Sequence, residues 1–207
     1  MLDLYSNQVS GSLPESLTLL KDLKTLHLHK NVLEGELLLE CINMKLSGIS
    51  VELDNNAGFT LPDTLGDLQE VDLLNLSCCS LIGSIPESIG QMSQLQKLDL
   101  SYNQLTGAHA FSCLTLFVHT SSPHFFGFRF ADSIPDAIGL CVNLVELWLC
   151  GNKLTGAVPA SLAKLVSLQS LRLNNNRFED ASPEILGQLA KLTFLDLQHN
   201  SLPGALP

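Results

Sequence analysis

A six-residue pattern recurs along this chain and constrains its fold more than any other feature. The pattern is Leu-x-Leu-x-x-Asn, and most copies follow one another at 24 residues or a near multiple of 24. After each copy comes a version of x-Leu-x-Gly-x-Ile/Leu-Pro. The closing position is occupied by Asn7, Asn31, Asn56, Cys79, Asn103, Asn152, Asn176 and Asn200. A fixed period of this length predicts a solenoid in which each repeat packs against its neighbours.

The chain resembles the leucine-rich repeat family, and specifically its plant-type subclass with the consensus LxxLxLxxNxLxGxIPxxLGxLxxL. The resemblance covers nearly the whole chain, because about eight copies share both the LxLxxN core and the GxIP extension. It implies an α/β repeat solenoid, a right-handed superhelix with a concave parallel β-sheet and short 3₁₀ or α segments and turns on the convex side. The closing asparagines would stack in a ladder, with their amides bonded to backbone groups.

Two segments depart from the repeat, at 34–51 and 108–132. Asn103 and Asn152 are 49 residues apart, which equals one ordinary unit plus one of about 25. We therefore expect a degenerate ninth unit at 108–132, so that residues 1–207 form one solenoid of about nine units. The alternative is an irregular loop or a gene-model artefact, which Pro123 and the missing Gly, Asn and Leu signals favour.

The ends of the sequence lack the caps of the family. The chain opens inside a strand at Leu-Asp-Leu and stops inside a Gly-x-Leu-Pro motif, and the paired cysteines of the N-terminal cap are absent. Because solenoids generally need caps to cover their core, we expect a fragment or a truncated gene model.

Composition and motifs argue against several functions. The formal charge of −10, with only 11 scattered Lys and Arg residues, opposes a nucleic-acid interface. There is neither an 18-residue apolar run nor a signal peptide, so we expect no membrane contact by this segment. No nucleotide-binding, hydrolase or kinase motif occurs, so we predict no catalytic residues, no cofactor and no enzyme activity.

The six cysteines read as core residues rather than as a disulfide framework. Cys41, Cys113 and Cys141 occupy positions that are apolar in other repeats, and Cys79 stands in the asparagine ladder. Cys78 and Cys150 lie near strand ends, where the pattern does not determine their environment.

Ligand binding is expected on the outward positions of the strands, because the leucines are committed to packing. The central position of Leu-x-Leu gives one column: Asp3, His27, Glu52, Asn75, Asp99, Trp148, Arg172 and Asp196. Two residues earlier, Glu146, Ser170 and Phe194 extend the later units. The candidate binding residues are Trp148, Arg172, Glu146, Phe194, Asp196, Tyr102 and Asp99. Trp148 is predicted to face solvent within a patch across three strands, the alternative being an aromatic ring covered by a neighbouring side chain.

A weaker constellation joins His27 and His29 to Glu52 and Asp54 on the next predicted strand. Alternate strand residues share a face, so two imidazoles and two carboxylates could converge on a metal ion. We expect a solvated face here rather than a metal site, which leaves a metal-dependent enzyme using the two histidines as a remote alternative.

The resemblance implies a binding module similar to the ectodomains of plant-type leucine-rich repeat receptor kinases and receptor-like proteins. Such a module would recognise a protein or peptide ligand through the concave sheet, and a co-receptor or self-association would be compatible with it. The alternative is an interaction protein with no signalling domain, either secreted like the polygalacturonase-inhibitor-like proteins or an intracellular scaffold. An extracellular or cell-surface location follows from the resemblance alone.

Overall fold

One parallel sheet organises the molecule. The computed structural model describes residues 1–20, 23, 25–36, 49–52, 59–106, 134–181 and 183–203. Within them, eight strands form this sheet in the order in which they occur along the chain. With all strands of the described residues numbered in chain order, they are β1 (Leu2–Asp3), β3 (Thr25–His27), β6 (Ile49–Glu52), β8 (Val71–Asn75), β10 (Lys97–Asp99), β12 (Glu146–Trp148), β14 (Ser170–Arg172) and β16 (Phe194–Asp196). The expected solenoid is confirmed.

A second set of short parallel strands flanks the main sheet in the turns that follow it. These strands pair two by two: β2 (Ser10–Gly11) with β4 (Val32–Leu33), β5 (Gly35–Glu36) with β7 (Phe59–Thr60), β9 (Ile82–Gly83) with β11 (Gln104–Leu105), and β13 (Thr155–Ala157) with β15 (Arg177–Asp180). The glycines of this motif allow the turn, since Gly11 and Gly83 have φ values of 81° and 83°.

The return path of most units contains a 3₁₀ turn that follows a proline. The 3₁₀ segments are Glu15–Leu19, Leu65–Asp67, Glu87–Gln91, Asp136–Leu140 and Ala160–Lys164, and one α-helical turn spans Pro183–Gly187. Pro86 has φ of −72°, and its carbonyl accepts a 3.1 Å hydrogen bond from the N–H of Ile89. Proline presets the φ that begins such a turn, which explains its place in the repeat.

The regular spacing of apolar residues in the repeat produces a continuous hydrophobic core. Leu98 and Leu100 of one unit are fully buried, as are Ile89 and Met92 at the two apolar positions of the return path that leads to them. Equivalent residues of neighbouring units stack upon them, as the register Leu98↔Leu147 shows. Each unit thus buries its leucines against the next, which is why the fold needs several adjacent copies.

The asparagine ladder predicted from the sequence is present. The Asn103 side-chain amide donates to the carbonyls of Leu76 and Leu100 at 2.9 and 2.8 Å, while its oxygen accepts from the N–H groups of Cys79 and Leu81. Asn31, Asn152, Asn176 and Asn200 make the corresponding bonds, and Asn7 bonds to backbone carbonyls of its own turn. Cys79 is buried in the ladder. Asn56 lies outside the described residues.

Direct pairing of β10 with β12 corrects the expectation of a ninth unit with its own strand. Leu98 is the partner of Leu147, and the N–H of Leu100 donates to the Trp148 carbonyl at 2.9 Å. Asn152 donates to Leu100, 52 residues away, whereas the same bond elsewhere spans 27 residues. The difference of 25 residues is therefore extra chain inserted between two adjacent turns, as the alternative to a ninth unit implies. Residues 107–133 themselves lie outside the described residues.

The shorter irregularity at 34–51 does not break the sheet. β6 follows β3 in register, with Leu26 opposite Val51, and then pairs with β8 through a shift between Ile49 and Ser50. The strand thus has the register expected from Asn56. The apolar residues Cys41 and Met44 lie outside the described residues.

One repeating backbone feature was not predicted from the sequence. The residue before the ladder position has positive φ in every unit where both are described: Ser6, Lys30, Cys78, Tyr102, Gly151, Asn175 and His199. The left-handed conformation there turns the chain out of the strand. Since these side chains have little in common, no residue pattern marks the position.

The described cysteines differ in their environments. Cys79, Cys141 and Cys150 are buried, whereas Cys78 is exposed. Burial raises the pKa of the Cys141 thiol to about 11, because the thiolate would lose its hydration. Cys141 therefore behaves as the core residue that its position in the repeat predicts. Cys41 and Cys113 lie outside the described residues.

We predict that deletion of residues 108–132 leaves a folded protein. The deletion joins Gly107 to Ser133, which restores the run Leu-Thr-Gly-Ser-Ile-Pro and the 24-residue spacing of the ladder. Because β10 and β12 already pair, we expect a melting temperature equal to or above that of the parent, measured by circular dichroism. Loss of the cooperative transition would show that the segment is part of the core.

Candidate ligand-binding face

The outward positions of the strands form the straight columns expected from the sequence. Backbone pairing aligns Asp3, His27, Glu52, Asn75, Asp99, Trp148, Arg172 and Asp196 across the whole sheet. Two residues earlier, Lys97, Glu146, Ser170 and Phe194 form a second aligned column. The sheet therefore presents a continuous set of polar and aromatic side chains on its concave face.

Cations and aromatic rings alternate across four adjacent strands of this face. The Lys97 ammonium lies 4.0 Å from the centre of the Trp148 ring, and the Arg172 guanidinium lies 4.4 Å from it. The same guanidinium lies 4.8 Å from the ring of Phe194. We call Lys97, Trp148, Arg172 and Phe194 the stacked row. Cation–π contacts of this kind contribute roughly 0.5–1 kcal/mol each at exposed sites and restrict the side chains to defined positions.

Polar contacts hold the stacked row in place. Glu146 forms a 3.0 Å ion pair with Lys97, and the Trp148 indole N–H donates to the Ser170 hydroxyl at 3.1 Å. A half-buried ion pair near the surface adds little stability, roughly 0–1 kcal/mol, but it positions the ammonium above the indole ring. The candidate set from the sequence missed Lys97. Its place in the Glu146 column, one strand earlier, was the available signal.

The environment of Trp148 differs from the expected one. Its side chain is half-buried rather than solvent-facing, because Lys97 and Arg172 lie over its ring. Covering by neighbouring side chains, the alternative considered for this residue, describes it better. Phe194 keeps 45% of its surface exposed, so the open end of the stacked row is aromatic.

Two other candidates have backbone roles. Asp99 is only 7% exposed, and its carboxylate accepts a 3.0 Å hydrogen bond from the N–H of Ser101. Asp196 accepts the equivalent bond from the N–H of Gln198.

The candidate Tyr102 is 62% exposed and lies at the turn after the strand. Its ring is so close to Gly151 that a Cβ added to Gly151 would be 2.7 Å from it. Trp148, Arg172, Glu146 and Phe194 are thus the candidates that meet on the face.

The two histidines stand at the other end of the sheet. Their rings are 5.8 Å apart, with His29 stacked 4.4 Å from Tyr5 and His27 Nδ1 3.7 Å from an Asp3 carboxylate oxygen. Glu52 is in register with His27, but its side chain and all of Asp54 lie outside the described part of the structure. Among the side chains that are described, no group of three His, Cys, Asp or Glu is arranged to hold a metal ion.

Family comparisons agree with the observed geometry. The family description "Leucine rich repeat" matches residues 142–202, and a second leucine-rich repeat description matches residues 70–92 and 94–116. The chain belongs to the leucine-rich repeat family.

Curated members of this leucine-rich repeat family include receptor-like proteins and a receptor of Arabidopsis thaliana. The chain is 48% identical to Receptor-like protein 50 over 54 residues, 32% to Receptor-like protein 41 over 112, and 32% to Phytosulfokine receptor 1 over 153. These matches cover 26%, 52% and 63% of this chain, but only 6%, 12% and 14% of the respective relatives. The chain thus spans a small part of their length.

Solved structures of plant receptors share the solenoid. A TDR receptor superposes with a TM-score of 0.80 at 26% identity, over 99% of this chain and 31% of that one. The Arabidopsis receptor kinase HAESA, solved with the peptide hormone IDA and the co-receptor SERK1, gives 0.76 at 28%, over 100% and 31%. RGFR1, solved with RGF2, gives 0.72 at 29%, over 97% and 32%. Among the described residues, no helix is long and apolar enough to cross a membrane.

Proposed function

We propose that this chain is a peptide- or protein-binding segment of a receptor-like ectodomain, and that its ligand lies on the concave face over the stacked row. The carrying observation is the alternation of Lys97, Trp148, Arg172 and Phe194 across four adjacent strands. Arg and aromatic residues are enriched in protein interfaces, and Trp, Tyr and Arg are the residues that most often dominate the binding energy.

Two further considerations support a binding role. The related solved structures include HAESA and RGFR1 with peptide partners, and the chain corresponds to only a part of longer receptor-like relatives. Side chains of the stacked row are already positioned by one another, so a ligand would meet a preorganised surface and lose less conformational entropy on binding. We assign the face no catalytic role.

Selection from a displayed library of random short peptides tests this proposal. Peptides that bind the wild type should bind the Arg172→Gln variant at least roughly tenfold more weakly, because the central cation of the row is removed. The matched control is Arg177→Gln, which removes the same charge from an exposed residue of β15, outside the concave sheet. Equal binding to all three proteins would place the ligand elsewhere.

A further inference from the structure

A hydrogen bond that recurs along the concave face is interrupted at the stacked row. In four units, an Asp or Asn at the central position of Leu-x-Leu accepts a hydrogen bond from the backbone N–H two residues later. The pairs are Asp3 with Tyr5, Asn75 with Ser77, Asp99 with Ser101 and Asp196 with Gln198, at 3.0 to 3.1 Å. We call this bond the strand cap. It places a side-chain oxygen over each of these N–H groups.

The units of β12 and β14 cannot form the strand cap. The residues at the central position of Leu-x-Leu are here Trp148 and Arg172, whose side chains have no hydrogen-bond acceptor atom. Within the described residues, the backbone N–H groups of Cys150 and Asn174 donate no hydrogen bond. The backbones of these units are in register with their capped neighbours, so both N–H groups occupy the position that the capped N–H groups have in the flanking units. Cys150 is buried and Asn174 is half-buried. Backbone donors inside native proteins are nearly always paired, so two successive uncapped ones are informative.

Arg172 adds a third donor at the same place. Its Nε is buried and has no hydrogen-bond partner, and the guanidinium forms no salt bridge with any described residue. The nearby carboxylates have other roles, since Asp99 and Asp196 cap their own turns and Glu146 pairs with Lys97. The Nε–H of Arg172 and the two amides therefore share one region without a hydrogen-bond partner among the described residues, and the local acidic groups do not supply one.

We propose that an acidic side chain of the ligand, an aspartate or glutamate, completes the strand caps of the β12 and β14 units. Its carboxylate would accept from the N–H groups of Asn174 and Cys150 and from Arg172. Adjacent parallel strands are about 4.8 Å apart, so two such N–H groups can each bond one oxygen of a single carboxylate. The ligand would thus take the place that Asp99 and Asp196 occupy in the flanking units. This inference rests on the proposed function and specifies the ligand's chemistry.

Charge makes the site selective. The chain carries a formal charge of −10, so the protein as a whole repels anions. An anion that binds here must be held by local donors rather than by the overall field. Hydrogen bonds that involve a charged partner are roughly twice as strong as neutral ones, and this difference separates a carboxylate from its amide.

Titration with blocked amino acids tests the proposal without a known ligand. The probes are N-acetyl-aspartate N-methylamide, its asparagine counterpart, and N-acetylalanine, whose only carboxylate is terminal. Trp148 is the only tryptophan of the chain, so its fluorescence reports on the site, and the ¹H–¹⁵N signals of Cys150 and Asn174 report on the caps. We expect saturable changes with the aspartate derivative, and binding roughly tenfold weaker for the asparagine derivative and for Arg172→Gln. Arg177→Gln should bind like the wild type.

A cap-restoring variant provides a second control. Arg172→Asn supplies the acceptor that Asn75 supplies in β8, so the Asn174 N–H signal should cease to respond to the aspartate derivative. Equal responses to the aspartate and asparagine derivatives would overturn the proposal, as would tighter binding of N-acetylalanine. These failures are distinct from failure of the proposed function: peptides would then still depend on Arg172 in the display experiment, but without a required acidic residue.

Discussion

Replacement of Asn152 with alanine is expected to lower the free energy of unfolding by roughly 3–5 kcal/mol. The side chain is 8% exposed and bonds to the carbonyls of Leu100 and Leu149 and to the N–H of Leu105. Alanine leaves these buried backbone groups unpaired, and each unpaired group costs about 1–3 kcal/mol. Chemical denaturation followed by circular dichroism measures the change.

Asn143→Ala is the matched control for this prediction. Asn143 is exposed and donates one hydrogen bond, to the carbonyl of Ser93 at 2.9 Å. Its loss should cost less than about 1 kcal/mol, because water can replace the partner. If both variants lost similar stability, the ladder would not be the element that joins the turns before and after the insertion.

The second large effect is expected at Gly139, where the return paths of successive units touch. A Cβ added there would clash with the carbonyl oxygen of Ser161 and would lie 2.8 Å from the Ser161 Cβ. Since the clash involves backbone, Gly139→Ala should cost roughly 2–3 kcal/mol. Thermal unfolding of the purified variant measures it as a lower melting temperature.

Gly187 occupies the equivalent repeat position and supplies the control. Nothing lies within 4 Å of a Cβ added to Gly187, which belongs to the α-helical turn Pro183–Gly187. Gly187→Ala should be neutral or stabilising by up to about 1 kcal/mol, because alanine has the higher helix propensity. Equal losses in the two variants would mean that packing between return paths does not set this position.

Much of the fold could be predicted from the sequence because each repeated residue has a defined structural role. In β8, β10, β12 and β14 each Leu-x-Leu buries two leucines, so the residue between them belongs to the opposite face. The register Trp148↔Arg172↔Asp196 aligns these residues in a column. The ladder asparagines that bond to two turns fix the spacing of units, and these are Asn31, Asn103, Asn152, Asn176 and Asn200. These relations involve residues about one repeat length, 24 positions, apart, so they can be recognised in a single copy of the repeat.

The features that escaped prediction depend on contacts between units. Whether residues 108–132 are a ninth unit or an insertion depends on which strand pairs with β10. The apolar residues of this segment are compatible with both possibilities, so the sequence does not decide between them. Lys97 was missed because its role depends on Trp148, 51 positions later in the chain. The strand cap was missed because Asp99 resembles a ligand-binding residue on an open face until its bond to Ser101 is seen.

Hydrogen exchange of the protein with a selected peptide tests the central claim most directly. If the ligand lies on the concave face over the stacked row, slower exchange should appear in segments 146–150 and 170–174, including the uncapped amides of Cys150 and Asn174. Protection confined to 155–166 and 177–180, in the flanking strands and the return path, would contradict it and would place the ligand on another face of the solenoid.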